Sequence, residues 1–305
     1  MANRLYLRSI DLVSDAAEIN FIKNQKRTVY NTIYPFKIFP DKELRTVEFE
    51  PVTIFYGGNG CGKTTLLNII GEKLHLTRHS AFNGSAFFGT YVDMCHADFS
   101  VIPRGSQILT SDDVSDYCLN IRTLNDGVDL RREEIFADWN ARKDGPDSPP
   151  NLLKSLDDYD EWLETYNARR KTQSQFTRER MNGNIDMFSN GETAMKYYVE
   201  RITQNALYLI DEPENSLSPA RQLELREFLT TSARYYGCQF VIATHSPFIL
   251  SIPGAKIYEL DEYSSDVRPW AELDHVWEYY KFFKEHEEEI REANADRLDE
   301  IEEEC

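Results

Sequence analysis

A glycine-rich segment, GGNGCGKTT at residues 57–65, is the feature of this sequence that most restricts its fold. An apolar segment precedes it, and residues 63–74 place apolar side chains at helical spacing, so the pattern predicts a strand, a loop and a helix. Glycines let successive backbone N–H groups point at one anion, and the N-terminus of the following helix adds positive charge. The spacing therefore predicts a phosphate-binding loop, in which Lys63 reaches the β- and γ-phosphates and the Thr64 hydroxyl holds Mg²⁺.

Composition restricts the class of protein further. Hydrophobic residues make up 41% of the 305 residues and the net charge is −18. These values predict a folded globular protein and disfavour nucleic acid as a partner, because a phosphate-binding surface needs positive charge. The five cysteines form no CxxC pair, which predicts free thiols in a reducing cytosol. The sequence shows no leader and no apolar run near 18 residues, so we expect a cytoplasmic protein without a membrane partner.

Two carboxylates follow a second apolar segment. The run Leu207–Ile210 predicts a buried parallel strand that ends in Asp211 and Glu212. Asp211 is the expected partner of Mg²⁺, and Glu212 suits the base that polarises an attacking water. A strand ending in Asp-Glu is also common at protein surfaces. Its combination with the glycine loop favours the functional interpretation.

Two further segments carry candidate site residues. His245 follows the apolar run QFVI, and its spacing from Glu212 predicts the end of the neighbouring parallel strand, where it could sense the γ-phosphate. A structural histidine is the alternative. The segment FSNGET, residues 188–193, predicts a helix start with Ser189 and Glu192 as a capping box, and such an N-terminus also suits an anion.

The order of these segments resembles the ATP-binding cassette ATPases. Glycine loop, SNGE, LIDEPENSLSP and THSPF match the Walker A, signature, Walker B with D-loop, and switch-histidine motifs of that superfamily. The sequences DEPENSLSP and THSPF are most similar to its SMC/RecF/OLD-like branch, often labelled AAA-family ATPases. The chain lacks a long coiled coil, so the resemblance implies a compact head.

The resemblance implies roles for particular residues. ATP would be bound by Gly57, Asn59, Gly60, Cys61, Gly62, Lys63, Thr64 and Thr65. Mg²⁺ would be held by Thr64, Asp211 and Gln107, where Gln107 stands for the Q-loop. Catalysis would use Glu212, His245 and Lys63. The signature of a second copy would complete the site with Ser189, Asn190, Gly191 and Glu192, and the D-loop comprises Asn215, Ser216, Leu217 and Ser218.

The predicted fold class is α/β: a P-loop NTPase with a mostly parallel central sheet, N-terminal strands and an inserted helical lobe. We expect residues 1–75 and 188–270 to form the ATPase core and residues 76–187 to form the lobe, with one long helix over residues 155–181. The charge pattern of residues 271–305 predicts an acidic helical tail. This tail is either a solvated helix or a docking surface for a basic partner. Arg78 is either a phosphate-contacting arginine of the lobe or a surface residue.

The predicted function is an ATP-hydrolysing switch that forms a head-to-tail homodimer around ATP and controls a separate effector protein, as in bacterial phage defence. One alternative is a DNA-repair or DNA-end-sensing ATPase of the RecF/SMC type, for which the basic stretch at residues 167–181 could serve as the nucleic-acid surface. A second alternative is the ATPase subunit of a transporter. Salt-dependent DNA binding would favour the former, and a membrane-spanning partner would favour the latter.

Overall fold

The computed structural model describes residues 5–26, 30, 32–144, 164, 167–168, 170–180, 190–261 and 267–295. The chain divides into two compact units. Unit 1 comprises Met1–Val114 and Ala194–Cys305, and unit 2 comprises Ser115–Thr193.

Among the described residues, eight strands form two sheets, and all of these strands lie in unit 1. The strands are β1 (Leu7–Asp11), β2 (Thr46–Glu48), β3 (Val52–Tyr56), β4 (His96–Phe99), β5 (Gln107–Thr110), β6 (Leu207–Asp211), β7 (Gln239–Ala243) and β8 (Lys256–Glu259). The five-stranded sheet has the order β5-β6-β7-β3-β8, and every pairing in it is parallel. The other sheet, β2-β1-β4, is antiparallel. This arrangement confirms the predicted α/β class with a parallel central sheet and N-terminal strands.

The central strands explain why apolar runs, not alternating patterns, mark this sheet in the sequence. Every residue of β3 and β7 is buried, because helices cover both faces of a parallel sheet.

The buried side-chain amide of Gln239 joins the two sheets. Its Oε1 accepts the backbone N–H groups of Tyr6 and Leu7 at 2.8 and 2.9 Å, and its Nε2 donates to the Leu7 carbonyl at 2.7 Å.

The helices that belong wholly to unit 1 are α1 (Asp15–Asn24), α2 (Lys63–Lys73), α3 (Phe88–Met94), α7 (Pro219–Tyr235), α8 (Pro247–Leu250), α9 (Asp274–Glu285) and α10 (Glu287–Ala293). Two helices, α4 (Ser111–Asp144) and α6 (Asn190–Arg201), cross from one unit into the other, and α5 (Gln173–Arg178) lies in unit 2. Among the described residues, we find no helix that combines the length and the apolar character needed to span a bilayer.

Unit 2 has a small core of its own. Ile135, Trp139, Ala168 and Phe176 pack together, and the Trp139 indole N–H donates to the carbonyl of Lys171 at 3.3 Å. In the basic stretch, Lys171 pairs with Glu179 at 2.5 Å and Arg180 pairs with Glu164 at 3.3 Å. Part of its positive charge is therefore already matched by carboxylates.

Two features of the predicted organisation differ in the structure. Unit 1 continues to Val114 because β4 and β5 pair with strands of the core, so residues 76–114 belong to the ATPase core and not to the insertion. The single helix predicted over residues 155–181 is interrupted at Lys171 and Thr172. Thr172 is instead the N-cap of α5, in a capping box with Gln175.

Candidate phosphate-binding site

The glycine loop joins β3 to α2, and its backbone has positive φ at three glycines, Gly57, Gly60 and Gly62. Gly57 has φ of 148° and Gly62 has φ of 106°, in a region that residues with a Cβ rarely adopt. A Cβ on Gly62 would also lie 3.0 Å from Ile38 Cγ2. The helix α2 begins directly afterwards at Lys63, so its unpaired backbone N–H groups face the loop. Strand, loop and helix together form the expected anion cradle.

Lys63 is only 4% exposed and lies inside this loop. Its ammonium group donates to the carbonyl oxygens of Gly57 at 2.7 Å and Gly58 at 3.1 Å. It also lies 2.7 Å from His245 Nε2. Burial, and then the positive charge of Lys63, lowers the pKa of His245, so the imidazole is neutral and Nε2 accepts from the ammonium. The remaining proton of the imidazole is therefore on Nδ1.

The two predicted carboxylates lie beside the loop. The Thr64 hydroxyl donates to Asp211 Oδ1 at 3.1 Å. Burial raises the pKa of Asp211 to about 6, while the hydrogen bond from Thr64 acts in the opposite direction and the charge of Glu212 adds to the rise. Glu212 has φ of 47°, its Oε2 accepts from Asn215 Nδ2 at 2.9 Å, and its Oε1 lies 3.6 Å from His245 Nε2.

Strand order explains why these distant residues meet. In the parallel pair β6–β7, Asp211 lies opposite Ala243, and Glu212 N–H donates to the Ala243 carbonyl at 2.9 Å. β3 lies on the other side of β7 and leads into the glycine loop. The carboxyl ends of parallel strands lie at one edge of the sheet, which is where ligands bind in such folds. Lys63, Asp211, Glu212 and His245 therefore share this edge.

Glu214 links the D-loop segment to the histidine. Its carboxylate accepts from the Thr244 hydroxyl at 2.7 Å and from the His245 backbone N–H at 2.6 Å. The residues Asn215 and Ser216 lie in a 3₁₀ turn, Pro213–Ser216. Leu217 is buried, and Ser218 is the residue before α7. Glu214 was not among the predicted site residues, although it stands in the same DEPEN segment.

Two pockets adjoin the loop. A pocket of about 260 Å³ is lined by the loop residues Asn59, Gly60, Gly62, Lys63, Thr64 and Thr65, together with Tyr34, Ile38 and Glu212. A second pocket of about 740 Å³ shares Thr64 and Thr65 with it and extends past Asp211 to Arg78. Tyr34 lines both pockets, and its hydroxyl shares a hydrogen bond of 2.9 Å with the Thr65 hydroxyl.

Arg78 is held within the second pocket. Its guanidinium lies 4.3 Å from the centre of the Phe82 ring and donates to Asn68 Oδ1 at 3.0 Å. Burial lowers its pKa from the ordinary value. Arg78 is therefore a pocket residue, and a positive charge at this place suits an anionic ligand.

The structure does not bring Gln107 to the other predicted metal residues. Gln107 begins β5, and its Nε2 donates to the carbonyl oxygen of Arg201 at 3.0 Å. Thr110, at the opposite end of the strand, pairs with Asp211. Three residues of extended chain separate the two ends by about 10 Å. The prediction that Gln107 holds Mg²⁺ is therefore wrong, and Thr110 occupies the relevant end of this strand.

The signature residues are only partly described. Ser189 lies outside the described residues, and Asn190 is described by its helical backbone alone. Gly191 and Glu192 are half-buried in the first turn of α6 and belong to unit 2. Their predicted action on the site of a second copy stays a prediction.

The donor set at the loop fits Mg²⁺ bound with a nucleotide. Thr64 and Asp211 present adjacent oxygen atoms, which suits an ion that takes its other ligands from phosphates and water. Within the described part of the chain, no cluster of three or more His, Cys, Asp or Glu side chains could hold a metal alone. Any resident ion would therefore depend on the phosphates for most of its ligands.

A comparison with protein-family models identifies the family of this chain. A family model described as "AAA domain, putative AbiEii toxin, Type IV TA system" matches residues 93–251, just over half of the chain. The match contains Asp211, Glu212 and His245, while the glycine loop precedes it. A search of curated proteins found no match.

Several solved structures are distantly similar to this chain. An Smc head domain from Pyrococcus furiosus, bound to the C-terminal domain of ScpA, has 13% identity over 92% of this chain and 99% of its own, with a TM-score of 0.43. The SMC head domain from Thermotoga maritima has 12% identity over 87% and 99%, with a TM-score of 0.39. An ATP-binding cassette dimer bound to ADP and phosphate has 13% identity over 75% and 90%, with a TM-score of 0.35.

From the family match, the parallel sheet and the phosphate loop at its carboxyl edge, we conclude that the chain belongs to the AAA-domain family described as "AAA domain, putative AbiEii toxin, Type IV TA system", and that it has the fold of a P-loop ATPase.

Proposed function

We propose that this chain binds and hydrolyses ATP, and that it acts as a nucleotide-dependent switch on a separate effector protein. The observation that carries the proposal is the convergence of Lys63, Asp211, Glu212 and His245 at one sheet edge beside the glycine loop. A phosphate cradle alone would support nucleotide binding. A carboxylate that faces the same pocket supports hydrolysis, because phosphoryl transfer to water needs a group that orients the water.

Each side chain has a role that follows from its contacts. The backbone N–H groups of the loop and the Lys63 ammonium bind the phosphates. Thr64 and Asp211 would hold Mg²⁺, which would supply positive charge to neutralise the phosphates. Glu212 accepts a proton from the attacking water, and Asn215 holds its carboxylate in place through the 2.9 Å hydrogen bond. Neutral His245 can donate Nδ1–H while Nε2 faces Lys63.

The switch itself is proposed to be dimerisation. In this scheme two chains pack head to tail, and Ser189 and Gly191 of one copy contact the nucleotide on Lys63 of the other. The support is the order of motifs in the sequence. The positive end of the helix dipole at the start of α6 also suits an anion. Hydrolysis would then release the two copies.

Control of an effector in bacterial defence is supported by the family description, which names a toxin of a type IV toxin–antitoxin system. A nucleotide can shift an equilibrium only by its differential affinity for two states. Dimerisation provides two states that a partner protein can distinguish. We therefore propose that the effector binds the monomer and the ATP-bound dimer with different affinity.

Light scattering of the Glu212→Gln variant tests the switch. Glutamine preserves the shape of the side chain and removes the base, so we expect ATP hydrolysis to fall by about 10²–10⁴-fold. We expect the solution mass to double with Mg-ATP and to stay monomeric with Mg-ADP. The matched control is Lys63→Ala, which should lose nucleotide affinity and remain monomeric. A mass that does not change while ATP is bound would refute dimerisation as the switch, and unchanged hydrolysis would refute Glu212 as the base.

A further inference from the structure

The helices α9 and α10 form an unusually aromatic surface. Trp277, Tyr279, Tyr280, Phe282 and Phe283 are each 49 to 56% exposed. No side chain of either helix is buried among the described residues. Charged surface helices bury an apolar stripe against the protein, so an amphipathic helix with an uncovered stripe is incomplete by itself. We call residues 274–293 the aromatic helix segment.

The polar and apolar residues of this segment lie on different faces. Within α9, Tyr279 and Phe283 lie four residues apart on one face, and Ile290 is a further exposed apolar residue in α10. Glu278 and Glu285 repeat on the opposite face. The pattern is that of a helix which lays an apolar face into a groove and keeps an acidic face near the rim.

The segment is attached to the nucleotide-binding core at its first turn. Leu273 is fully buried immediately before α9, and His275 Nδ1 hydrogen bonds with the Tyr56 hydroxyl. Tyr56 is the last residue of β3 and precedes Gly57 of the phosphate loop. The helix is therefore fixed to the core at one end while its aromatic face stays in water.

The exposed area is large enough for a specific interface. A buried aromatic side chain covers about 150–250 Å², so five such side chains at half exposure present roughly 500 Å². This area matches the largest apolar patch on a typical monomer, about 300–600 Å², and such patches are often functional. A stable interface buries about 800 Å² on each partner. The aromatic helix segment could supply more than half of that area.

The negative charge around this surface favours a basic partner protein over a second copy of the chain. Residues 274–305 contain thirteen Asp and Glu against four Lys and Arg, which is half of the chain's net charge of −18. The aromatic helix segment itself contains seven Asp and Glu against three Lys and Arg, so two copies of it repel each other. A partner with Lys and Arg around an apolar groove would gain both burial and electrostatic attraction.

We propose that the aromatic helix segment is the docking site for a separate protein whose apolar groove is rimmed by Lys and Arg. This deepens the proposed function, on which it rests for the identity of the partner as the effector. Phe283 and its neighbours enter the groove, and the glutamates face the basic rim. The anchor at Tyr56 connects the segment to the strand that leads into the phosphate loop.

Cross-linking in the native cells identifies the partner. A photoreactive phenylalanine analogue replaces Tyr280 in the full chain, and the control carries it at Tyr235, which is 75% exposed near the end of α7. We expect a covalent adduct with another protein from position 280 only. Adducts restricted to a second copy of this chain would overturn the proposal, as would equal adducts from both positions.

Titration of the purified pair then tests the chemistry. The probe is the protein recovered in the adduct, and its affinity is measured calorimetrically at low and high salt. We expect Phe283→Ser to weaken binding by about tenfold or more, and Tyr235→Ser to leave it unchanged. Charge reversal by Glu278→Lys with Glu285→Lys should weaken binding and reduce its salt dependence. Equal affinity of the wild type and Phe283→Ser would refute the docking site.

The outcomes for docking and for the switch are separable. Phe283→Ser should retain ATP hydrolysis and ATP-dependent mass, because the residue does not line either pocket at the loop. If the pair binds through Phe283 but nucleotide does not alter the affinity, the docking site stands and the switch fails. If Glu212→Gln dimerises with ATP but position 280 gives no adduct, the switch stands and the docking site fails.

Discussion

Asp211 offers the sharpest test of the site, because one substitution should change stability and metal binding in opposite directions. Burial raises the pKa of this carboxyl to about 6, from an ordinary value near 4. The folded protein therefore binds the proton of Asp211 more tightly than the unfolded chain does. Ionisation of Asp211 lowers the free energy of unfolding as the pH rises from about 4 through 6, by at most about 3 kcal/mol.

The Asp211→Asn variant removes this penalty, since an amide does not ionise and its oxygen can still accept from Thr64. In the absence of metal and nucleotide, we expect the variant to exceed the wild type in free energy of unfolding by about 1–3 kcal/mol at pH 8. At pH 4, where the wild-type carboxyl is protonated, the two proteins should be equally stable. Urea denaturation of both proteins across this pH range measures the difference.

The same substitution should weaken Mg²⁺-dependent nucleotide binding, because the metal requires a carboxylate. Protonation of the nucleotide affects both proteins equally, so the informative quantity is the ratio of wild-type to variant affinity. We expect this ratio to fall about twofold at pH 6 and about tenfold at pH 5, relative to pH 8. A stability difference and an affinity ratio that do not vary with pH would refute the assignment of a buried, ionisable ligand at Asp211.

Three further tests address the packing of α2, the link between the two sheets and the support of His245. A Cβ on Gly71 would lie 2.2 Å from Ile108 Cδ1, so Gly71→Ala should destabilise the protein by about 1–2 kcal/mol. Adding Ile108→Val should recover part of this loss, which a double-mutant cycle of denaturation midpoints measures. Gln239→Leu leaves buried backbone N–H groups unpaired and should lower the free energy of unfolding by about 2–4 kcal/mol; a loss under about 0.5 kcal/mol would refute its bridging role. Glu214→Ala should lower the rate of ATP hydrolysis with little change in nucleotide affinity, because Glu214 holds the backbone of His245; an unchanged rate would contradict this.

The sequence by itself determined those elements that a short sequence pattern marks. The glycine spacing predicted the loop at residues 57–62, because only glycine tolerates the backbone conformation found at Gly57 and Gly62. The apolar runs before Asp211 and His245 predicted central strands, and β6 and β7 are neighbours in the sheet. Parallel strands place their carboxyl ends together, so candidate residues at both strand ends could be predicted without a structure.

The tertiary structure alone decided the features that depend on register and on contacts distant in sequence. The sequence did not show that Gln107 begins a strand and does not follow one, so Gln107 was assigned to the carboxyl edge that Thr110 occupies. The strands β4 and β5 lie among polar segments, so their membership of the core was hidden until their pairing was known.

Tyr34 has no local pattern that marks it. Only the structure shows that Arg78 lines a pocket and that Glu214 accepts a hydrogen bond from Thr244, because these contacts join residues on different elements. The exposure of the aromatic helix segment was hidden for the same reason. Helical spacing predicts an apolar face, but only the packed core shows whether anything covers it.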